Sequence, residues 1–585
     1  MISEPIPARE LIETALGNRP ADLVITNGTL VDVYSKRLIP RRSVAVYDKW
    51  IVYVGPDAGH TINDQTQVIE AEGRLICPGY IDAHTHLANC WSISDFLGYA
   101  LPCGVTTFIT EVESYALALG ADGFKAFLDQ IEPIPAKVFA LIPPLISASP
   151  AVEHLYVDRD TARELLKDPR VLGIGESYWQ RIVLKDDDRV LGLIQDTINA
   201  GKSVQGHAAG AFDRKLSAYA ASGAVSCHEA ITTEDVLSRL ELGYYTMIRE
   251  GDIRRDLEII LPLKDRIDTR RLILVTDGTN PSLLVKQGYL VDVIQKAVDM
   301  GFDPLEVLQM VTLNPAQHFG LDALTGGIAP GRRADILLLP EPGNMSPDLV
   351  ISDGRVVAEK GDIRIALERV PHPEAFYHTL RTGPVSAADL SAPASNSASD
   401  HRIRIMEIQP GGLVTREQTV EGKVEGGDYV ADVENDLLKV VFIERVTGKG
   451  ERFTGFIKGW GQKKGAVASS LCWDASGVMA IGTNENDIAL AINRIIDLRG
   501  GTTLFVDGEL KLEIPFSVGG CVSELGIREL AERLERFQQM VASLGSELDS
   551  AHLTLNTLST AAIPFIRMTE QGYYRFREND IVGLG

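Results

Sequence analysis

Cysteine is scarce in this chain of 585 residues. None of the six cysteines belongs to a C-x-x-C pair; they are Cys77, Cys90, Cys103, Cys227, Cys472 and Cys521. A disulfide framework is typical of short secreted chains whose cysteines are numerous and closely spaced. We therefore expect reduced thiols in a cytoplasmic protein.

Long apolar runs and an excess of basic residues are also missing. A bilayer-spanning helix needs about 18 or more consecutive apolar residues, and the sequence contains no such run. Residues 1–20 lack the basic and apolar regions of a secretory signal. Lys and Arg number 57 against 80 Asp and Glu, which gives a net charge of −23. Because a phosphate surface requires a basic face, we expect neither nucleic acid nor a membrane as a partner.

Short strand-like runs occur in two separate parts of the chain. Residues 21–75 and 325–382 are rich in Val and Ile, with Gly, Asn and Asp between the runs. Together with the N-terminal helix, residues 1–75 form the first part of the predicted small β-domain. Residues 325–382 form its second part, so that this domain is built from both sides of the segment between them.

The segment of residues 76–324 alternates strand-like and helical runs. Its strand-like runs are apolar on both faces, which is typical of parallel strands covered by helices. The pattern predicts an α/β fold, a TIM-like (β/α)8 barrel of the metal-dependent hydrolase type. Residues 383–401 are rich in Ser, Ala and Pro and are predicted to be a linker. Residues 402–585 are predicted to form a C-terminal α+β domain.

The strongest local motif is ICPGYIDAHTHL at residues 76–87. On a strand, residues two apart project from the same face, so His84 and His86 could bind one metal ion. An H-x-H pair alone is common and could equally be a polar strand end. The rest of the barrel segment therefore decides whether a metal is bound.

Four more ligand-type residues each occupy the end of a later predicted strand; they are Glu176, His207, His228 and Asp277. The carboxyl ends of the strands of a parallel barrel converge on its active-site face. Taken singly, such residues are usually strand caps or core histidines, but a succession at the same strand position favours a metal site. We predict that these four and the H-x-H pair bind two divalent ions, since such an arrangement activates water.

The same residues suggest a division of catalytic roles. Asp277 would contact a metal and also accept the proton of the attacking water, while His228 serves both as a ligand and as a catalytic residue. Glu229 is a second acid–base candidate, and its alternative role is that of an ion-pair partner at the barrel mouth. Imidazole and carboxylate ligands suit manganese, iron or zinc alike.

The string Pro-Gly-Tyr-Ile-Asp-Ala-His-Thr-His at residues 78–86, with the later His, His and Asp, resembles the amidohydrolase superfamily. The resemblance is closer still to the adenine deaminase family and extends over nearly the whole chain. Residues 206–251, 326–339 and 455–501 carry it. The last of these segments lies in a C-terminal domain that is peculiar to that family.

This resemblance implies a binuclear centre of iron or manganese, zinc being possible, that hydrolyses adenine to hypoxanthine and ammonia. It also implies that Glu176 takes the place of the carbamylated lysine found in many relatives. The implied partner is a small heterocyclic substrate, and the implied assembly is a homo-oligomer, a dimer or higher.

Departures from the family pattern fall where substrate-contacting residues are expected. The family's A-D-P-H-E is Thr110-Glu-Val-Glu-Ser114 here, its G-E-M-M is Gly175-Glu-Ser-Tyr-Trp179, and its A-H-D-S-H-N is Cys472-Trp-Asp-Ala-Ser-Gly477. We therefore predict a divergent member whose substrate-binding residues are Glu113, Ser114, Trp91, Trp179, Trp473 and Asp474.

The resulting hypothesis is a hydrolase of C–N bonds that deaminates adenine or a related aminopurine or nitrogen heterocycle. A metal hydroxide attacks the ring carbon that bears the amino group, and Asp277 transfers the proton. One alternative is a cyclic-amide hydrolase, which would open a ring and leave a new carboxylate instead of ammonia. The other is a non-catalytic relative, which the full ligand set disfavours.

Overall fold

The Val- and Ile-rich runs that precede the barrel segment form strands. The computed structural model describes residues 6–185, 187–394, 401–563 and 565–585. Helix α1 (Ala8–Ala15) is followed by five strands: β1 (Leu23–Asp32), β2 (Arg37–Tyr47), β3 (Trp50–Gly55), β4 (Gln67–Glu70) and β5 (Leu75–Pro78). Their apolar side chains, such as Ile25, Val44 and Ile76, are buried together.

Eight parallel strands form the barrel: β6 (Tyr80–Thr85), β7 (Val105–Glu111), β8 (Lys137–Ile142), β9 (Val171–Tyr178), β10 (Ser203–His207), β11 (Ser226–Cys227), β12 (Tyr245–Arg249) and β13 (Leu272–Val275). Two backbone hydrogen bonds close the ring of strands. The Val225 amide donates to the Val204 carbonyl at 3.1 Å, and the Asp277 amide donates to the His84 carbonyl at 3.1 Å. The predicted (β/α)8 barrel is therefore confirmed.

Helices cover the outside of the barrel or follow its last strand; they are α2 (Ile93–Ala100), α3 (Glu113–Ile131), α4 (Arg159–Leu165), α5 (Asp188–Asn199), α6 (Asp213–Ala221), α7 (Thr233–Glu241), α8 (Pro281–Gln287), α9 (Leu290–Asp299), α10 (Pro304–Met310) and α11 (Leu313–His318). Helix α3 is kinked at Leu119 and Gly120, where the backbone leaves the helical conformation. None of the described helices is both long enough and apolar enough to cross a membrane.

The chain returns to the N-terminal sheet after the barrel. Four strands follow α11: β14 (Ile336–Leu339), β15 (Leu349–Ser352), β16 (Arg355–Glu359) and β17 (Asp362–Ile363). The sheet order is β17-β16-β15-β14-β5-β1-β2-β3, with β4 beside β1. Because β14 pairs antiparallel with β5, one small β-domain contains segments from both sides of the barrel, as predicted.

In its described residues, the C-terminal domain combines a large, mostly antiparallel sheet with three α-helices. Its strands are β18 (Arg402–Ile408), β19 (Thr415–Glu421), β20 (Lys423–Glu425), β21 (Asp428–Val430), β22 (Leu437–Glu444), β23 (Arg452–Lys458), β24 (Ala466–Ser469), β25 (Gly477–Gly482), β26 (Gly501–Val506), β27 (Glu509–Pro515), β28 (Ile566–Thr569), β29 (Gly572–Arg575) and β30 (Asp580–Val582). Its helices are α12 (Glu485–Asp497), α13 (Ile527–Ser543) and α14 (Ala551–Thr557). Eight of the strands form one sheet in the order β19-β18-β23-β22-β25-β24-β26-β27.

The predicted linker is described from residue 383 to residue 394 and again at residue 401; residues 395–400 lie outside the described residues. Val385 and Leu390 are buried against helix α12. The Val385 amide donates to Oδ1 of Asn493 at 2.8 Å. This part of the segment is thus packed on the C-terminal domain.

Direct contacts join the C-terminal domain to the barrel mouth. The Ser476 hydroxyl donates to the Leu117 carbonyl at 2.6 Å, and the Ser523 amide donates to the Cys90 carbonyl at 2.9 Å. The segment between β24 and β25 therefore lies against helix α3, and the segment that follows β27 lies against the loop after β6. All six cysteines are free thiols.

Candidate metal centre

The six predicted ligands converge at the carboxyl end of the barrel. His84 lies in β6 and His86 just after it; Glu176 lies in β9 and His207 ends β10. His228 and Asp277 follow β11 and β13. Parallel strand ends meet on one face of a barrel, which is why residues nearly 200 positions apart can share a site.

Glu176 lies between two groups of histidines. Its Oε1 is 3.5 Å from Nε2 of His84 and 3.5 Å from Nε2 of His86. Its Oε2 is 2.6 Å from Nδ1 of His207 and 3.7 Å from Nε2 of His228. Each carboxylate oxygen thus faces a different pair of imidazoles, which is the arrangement expected of a bridging ligand.

Asp277 completes the group around Oε1 of Glu176. Its Oδ1 is 3.0 Å from Nε2 of His84 and 3.4 Å from Nε2 of His86. The backbone of Asp277 is in the left-handed region, with φ of 54°, a conformation that non-glycine residues adopt infrequently. This turn directs the carboxylate into the cluster immediately after β13 ends.

The donor set fits divalent cations. Three overlapping groups have ligand atoms within 4.8 Å of one another: His84, His86, Glu176 and Asp277; Glu176, His207 and His228; and His228, Glu229 and Asp277. Imidazole and carboxylate donors suit manganese, iron and zinc. The side chains are largely buried, so that a bound ion would be held by protein atoms rather than by bulk water.

The electrostatics of the cluster favour positive charge within it. Burial raises the pKa of Glu176 and of Asp277, but neighbouring histidines hold both pKa values well below the usual range. Burial lowers the pKa of His84, but Asp277 and Glu176 together raise it to about 10. The carboxylates are therefore ionised and require cationic partners at this depth.

A cavity of about 330 Å³ opens onto the cluster, and we call it the substrate cavity. His86, Glu176, His207, His228 and Asp277 all line it. Its walls continue through apolar side chains of both domains, among them Leu117, Leu145, Ile146, Leu413, Val414, Leu471 and Ile563. Mostly apolar walls around a few polar groups are typical of a small-molecule site.

Two family models match the chain. The amidohydrolase family matches residues 75–357, and the adenine deaminase C-terminal domain matches residues 412–580. An adenine deaminase of Moorella thermoacetica is 35% identical over 571 residues, covering 96% of each chain. The chain belongs to the adenine deaminase family.

A second relative matches over almost the same extent of the chain. An adenine deaminase of Clostridium botulinum is 32% identical over 584 residues, covering 99% of this chain and 97% of that protein. Among solved structures, a β-aspartyl dipeptidase of Fervidobacterium islandicum matches with a TM-score of 0.46 and 18% identity, covering 59% of this chain and 98% of that one. The family is one of hydrolases that act on C–N bonds, and its membership together with the His/Asp/Glu cluster indicates a divalent metal centre.

Four of the six residues predicted to contact substrate line the cavity; they are Glu113, Ser114, Trp473 and Asp474. Glu113 contacts a candidate ligand directly, because its Oε1 is 2.7 Å from Nδ1 of His86. Carboxylates often orient metal-binding histidines in this way. In this member of the adenine deaminase family, Glu113 is thus placed to orient His86 as well as to face the cavity.

Trp473 and Asp474 come from the C-terminal domain. The Trp473 ring stacks on His86, with centroids 6.1 Å apart and an interplanar angle of 22°. Asp474 accepts hydrogen bonds from the Tyr178 hydroxyl at 3.0 and 3.1 Å, and from the Thr560 hydroxyl. Burial raises the pKa of Asp474 to about 6. The C-terminal domain therefore forms one wall of the cavity.

Trp91 and Trp179 are placed elsewhere. Neither occurs among the described residues that line the substrate cavity. Trp91 is buried and stacks on Phe96, with centroids 5.6 Å apart, and the Trp179 indole donates to the Ala209 carbonyl at 2.8 Å. Both rings are large apolar groups that pack into the surrounding core, so this placement does not favour the predicted substrate contacts.

Sequence reasoning missed Arg249, the last residue of β12. Its Nη1 contacts Oε1 of Glu229 and lies 3.4 Å from Oδ2 of Asp277, while its Nη2 is 3.1 Å from Oδ2 of Asp256. Glu229 therefore forms an ion pair at the barrel mouth, which is the alternative role considered for it in the sequence analysis. The same Glu229 oxygen is also 3.4 Å from Nε2 of His228. In the sequence, the only feature that could have marked Arg249 as a site residue is its position at the end of a predicted strand.

Glu111, at the end of β7, was missed in the same way. It lines the cavity, is 3% exposed, and its Oε1 has no hydrogen-bond partner among the described residues. Burial, together with the charge of Glu176, raises its pKa to about 8. The sequence pattern favoured Glu113, which lies two residues later, just beyond the end of the same strand.

Proposed function

We propose that this chain is a metal-dependent hydrolytic deaminase of adenine or a closely related aminopurine. The observation that carries the proposal is the placement of Glu176, whose two oxygens face two separate imidazole pairs. A single structural metal would require only one such group. The curated relatives that match almost the whole chain are adenine deaminases, and this supports the choice of reaction.

We infer two ions per chain, with manganese or iron favoured and zinc acceptable. His84, His86 and Asp277 would hold one ion with Oε1 of Glu176, and His207 and His228 would hold the other with Oε2. Two divalent ions supply Lewis acidity and bring the pKa of water from 15.7 to about 7. His84, His207, His228 and Asp277 are buried, which limits the access of bulk water to the ions that they would hold.

Asp277 is the proposed proton acceptor. One of its oxygens faces the histidines, and the other lies 3.4 Å from Arg249. A carboxylate held at both oxygens can take a proton from water and return it to the departing amine without changing its position. Glu229, which contacts Arg249 and faces His228, is the proposed assisting group.

The substrate is proposed to lie against Trp473 and within reach of Glu111, Glu113 and Asp474. An aromatic wall favours a flat heterocycle. Because the cavity walls are largely apolar, we expect that unsubstituted adenine is not the best substrate. Sites that recognise a substrate through hydrogen bonds discriminate between substrates by a factor of ~10⁴–10⁵. A small change in the substituents of the purine should therefore give a measurable difference in kcat/KM.

The test is a panel of adenine, N-substituted and oxidised purines, and cyclic amides, assayed with metal-loaded protein. Release of ammonia supports the proposal, whereas a new carboxylate without ammonia shows a ring-opening hydrolase. An adenine kcat/KM of ~10⁴ M⁻¹s⁻¹ or more, at the lower end of ordinary enzymes, with no better panel member, would show that the altered wall does not change the substrate.

We also propose a cytoplasmic homo-oligomer. The free thiols fit a reducing compartment. The net negative charge favours a protein that stays dispersed in solution. The molar mass in solution, measured by light scattering, decides the assembly: 63.7 kDa is one chain, and a multiple of this value is expected.

A further inference from the structure

Tyr178 lines the substrate cavity but belongs neither to the proposed ligands nor to the proposed substrate contacts. It is the last residue of β9, two positions after Glu176. Its ring lies beside that of His207, with centroids 4.7 Å apart and an interplanar angle of 58°. Because its hydroxyl reaches Asp474, the side chain extends from a candidate ligand to the wall that the C-terminal domain contributes.

Asp474 is held in place by its own domain. Its Oδ2 accepts hydrogen bonds from the Thr560 hydroxyl and, at 3.0 Å, from the Ala561 amide. Its two oxygens also lie 3.0 and 3.1 Å from the hydroxyl of Tyr178. Burial raises the pKa of Asp474 to about 6, so at pH 8 the carboxylate is ionised and can only accept. The Tyr178 hydroxyl therefore donates its one hydrogen to Asp474.

The direction of this hydrogen bond leaves the Tyr178 oxygen as an acceptor. A phenol has a single hydrogen, and its oxygen can accept while that hydrogen is donated. Among the described residues, no donor forms a hydrogen bond to this oxygen. Donation to a carboxylate also polarises the hydroxyl and makes its oxygen a stronger acceptor. Tyr178 thus offers the cavity an acceptor and no donor.

The hydroxyl is an addition to the family pattern. That pattern reads Gly-Glu-Met-Met where this chain has Gly175-Glu-Ser-Tyr178, so that a methionine is replaced by a tyrosine. A thioether is only a weak acceptor. The aspartate of the pattern A-H-D-S-H-N is kept as Asp474. In this chain a retained aspartate therefore orients a polar group that the pattern lacks.

We propose that Tyr178 is a specificity-determining residue whose oxygen accepts a hydrogen bond from a ring N–H of the substrate, and that Asp474 is the positioning residue that orients it. The inference rests on the proposed function and narrows its substrate. In an aminopurine the donor is the N–H of the five-membered ring, since the amino group leaves from the other ring. Substitution at that nitrogen is then excluded, whereas substituents elsewhere on the purine are not.

The test measures the binding of 6-methylpurine to the metal-loaded protein by isothermal titration calorimetry at pH 8. This purine carries a methyl group in place of the leaving amine, so it binds without releasing ammonia. Its two isosteres have an oxygen in place of one nitrogen of the five-membered ring and therefore no ring N–H. We expect the wild-type protein to bind 6-methylpurine about tenfold more tightly than either isostere, the contribution of one hydrogen bond to a polarised acceptor.

Tyr178→Phe removes only the hydroxyl. This variant should bind the purine and the isosteres with equal affinity, while its metal content stays that of the wild type. Tyr377→Phe is the matched control, because the Tyr377 hydroxyl also donates to a carboxylate, at 2.9 Å from Oε1 of Glu524. Tyr377 is not among the described residues that line the substrate cavity, so this control should keep the tenfold difference.

Asp474→Asn tests the positioning role. The Ala561 amide donates at the position of Oδ2, so the remaining oxygen of the variant should stay there and the amide nitrogen should face the Tyr178 hydroxyl. That nitrogen then donates to the Tyr178 oxygen and occupies the acceptor. The difference between 6-methylpurine and its isosteres should shrink, and an unchanged difference would overturn the role of Asp474.

Equal affinity of the wild-type protein for 6-methylpurine and its isosteres would overturn the proposal for Tyr178. A tenfold difference that persists in Tyr178→Phe, or one that is also lost in Tyr377→Phe, would do the same. Absence of ammonia release from every aminopurine would contradict the proposed function instead. Calorimetry with 6-methylpurine needs no turnover, so the two failures are distinguishable.

Discussion

The ligand half and the substrate half of the site are held in different ways. His84, Glu176 and His207 stand on three parallel strands of one barrel, where the backbone is fixed by ladder hydrogen bonds. Trp473 and Asp474 instead reach the barrel from a loop of another domain and rest on His86 and Tyr178. The first half is rigid, and the second depends on how two domains meet.

This difference shows how one scaffold can keep its chemistry while its substrate changes. Sites on strand ends hold catalytic geometry precisely, whereas loops tolerate substitution. The resemblance to the family implies that the six proposed ligand positions keep the family pattern, and it places the departures at residues 110–114, 175–179 and 472–477. We therefore expect substitutions in the ligand half to act on kcat and substitutions in the loop half to act on KM.

Among the variants expected to retain their metal ions, the largest effect is expected for Asp277→Asn, in the ligand half. The variant loses the proton acceptor but retains an oxygen that can approach the ion, so kcat should fall by ~10²–10⁴-fold while metal content changes less. Steady-state kinetics with metal analysis of the same preparation measures both. A near-normal kcat would assign the proton transfer to another group, with Glu229 next in line.

A smaller effect is expected for Trp473→Leu, in the loop half. Loss of the aromatic wall removes a stacking contribution of about 0.5–1.5 kcal/mol, which corresponds to a rise in KM of about 2- to 13-fold with little change in kcat. Trp179→Leu is the matched control, because this ring does not line the cavity among the described residues. Similar KM changes in both variants would contradict the assignment of Trp473 to the substrate wall.

The smallest effect concerns the support of the loop half by His372. Its Nε2 lies 2.7 Å from the hydroxyl of Tyr115, which follows Glu113 and Ser114 in helix α3. Burial lowers the pKa of His372 to about 4, below the ordinary 6.5. The unfolded chain therefore takes up the proton first, so that stability is full above pH 6.5 and is lost as the pH falls towards 4.

The contribution is at most about 1.4 kcal/mol per pH unit. Urea unfolding at several pH values should give a flatter profile for His372→Gln than for the wild type. His154→Gln, at an exposed histidine, is the control and should leave the profile unchanged. Parallel profiles for the wild type and His372→Gln would show that this histidine does not couple to folding.

The barrel and the clustering of the candidate ligands could be predicted from the sequence because both follow short-range rules. Alternating strand and helix patterns indicate a parallel barrel, and ligand-type residues at strand ends indicate its active-site face. His84 and His86 are separated by one residue, and the other candidate ligands lie near or just beyond the carboxyl ends of their strands. No knowledge of distant contacts was needed.

The substrate wall could not be predicted to the same depth, because it depends on contacts between segments far apart in the chain. Trp473 and Trp91 are the same residue type in equally divergent motifs, yet one stacks on His86 and the other packs on Phe96. The sequence gives no motif for Arg249 or Glu111 either, because the ion pairs of Arg249 and the raised pKa of Glu111 depend on residues of other strands. Which side chains of these loops meet at the barrel mouth is decided by tertiary packing.

The most direct test of the account is the metal content of the purified protein after expression with added manganese or iron. Two divalent ions per chain are expected in the wild type. In Glu176→Gln, which removes the shared carboxylate, at least one ion should be lost and turnover abolished. Wild-type protein that binds no divalent ion under these conditions would contradict the central claim.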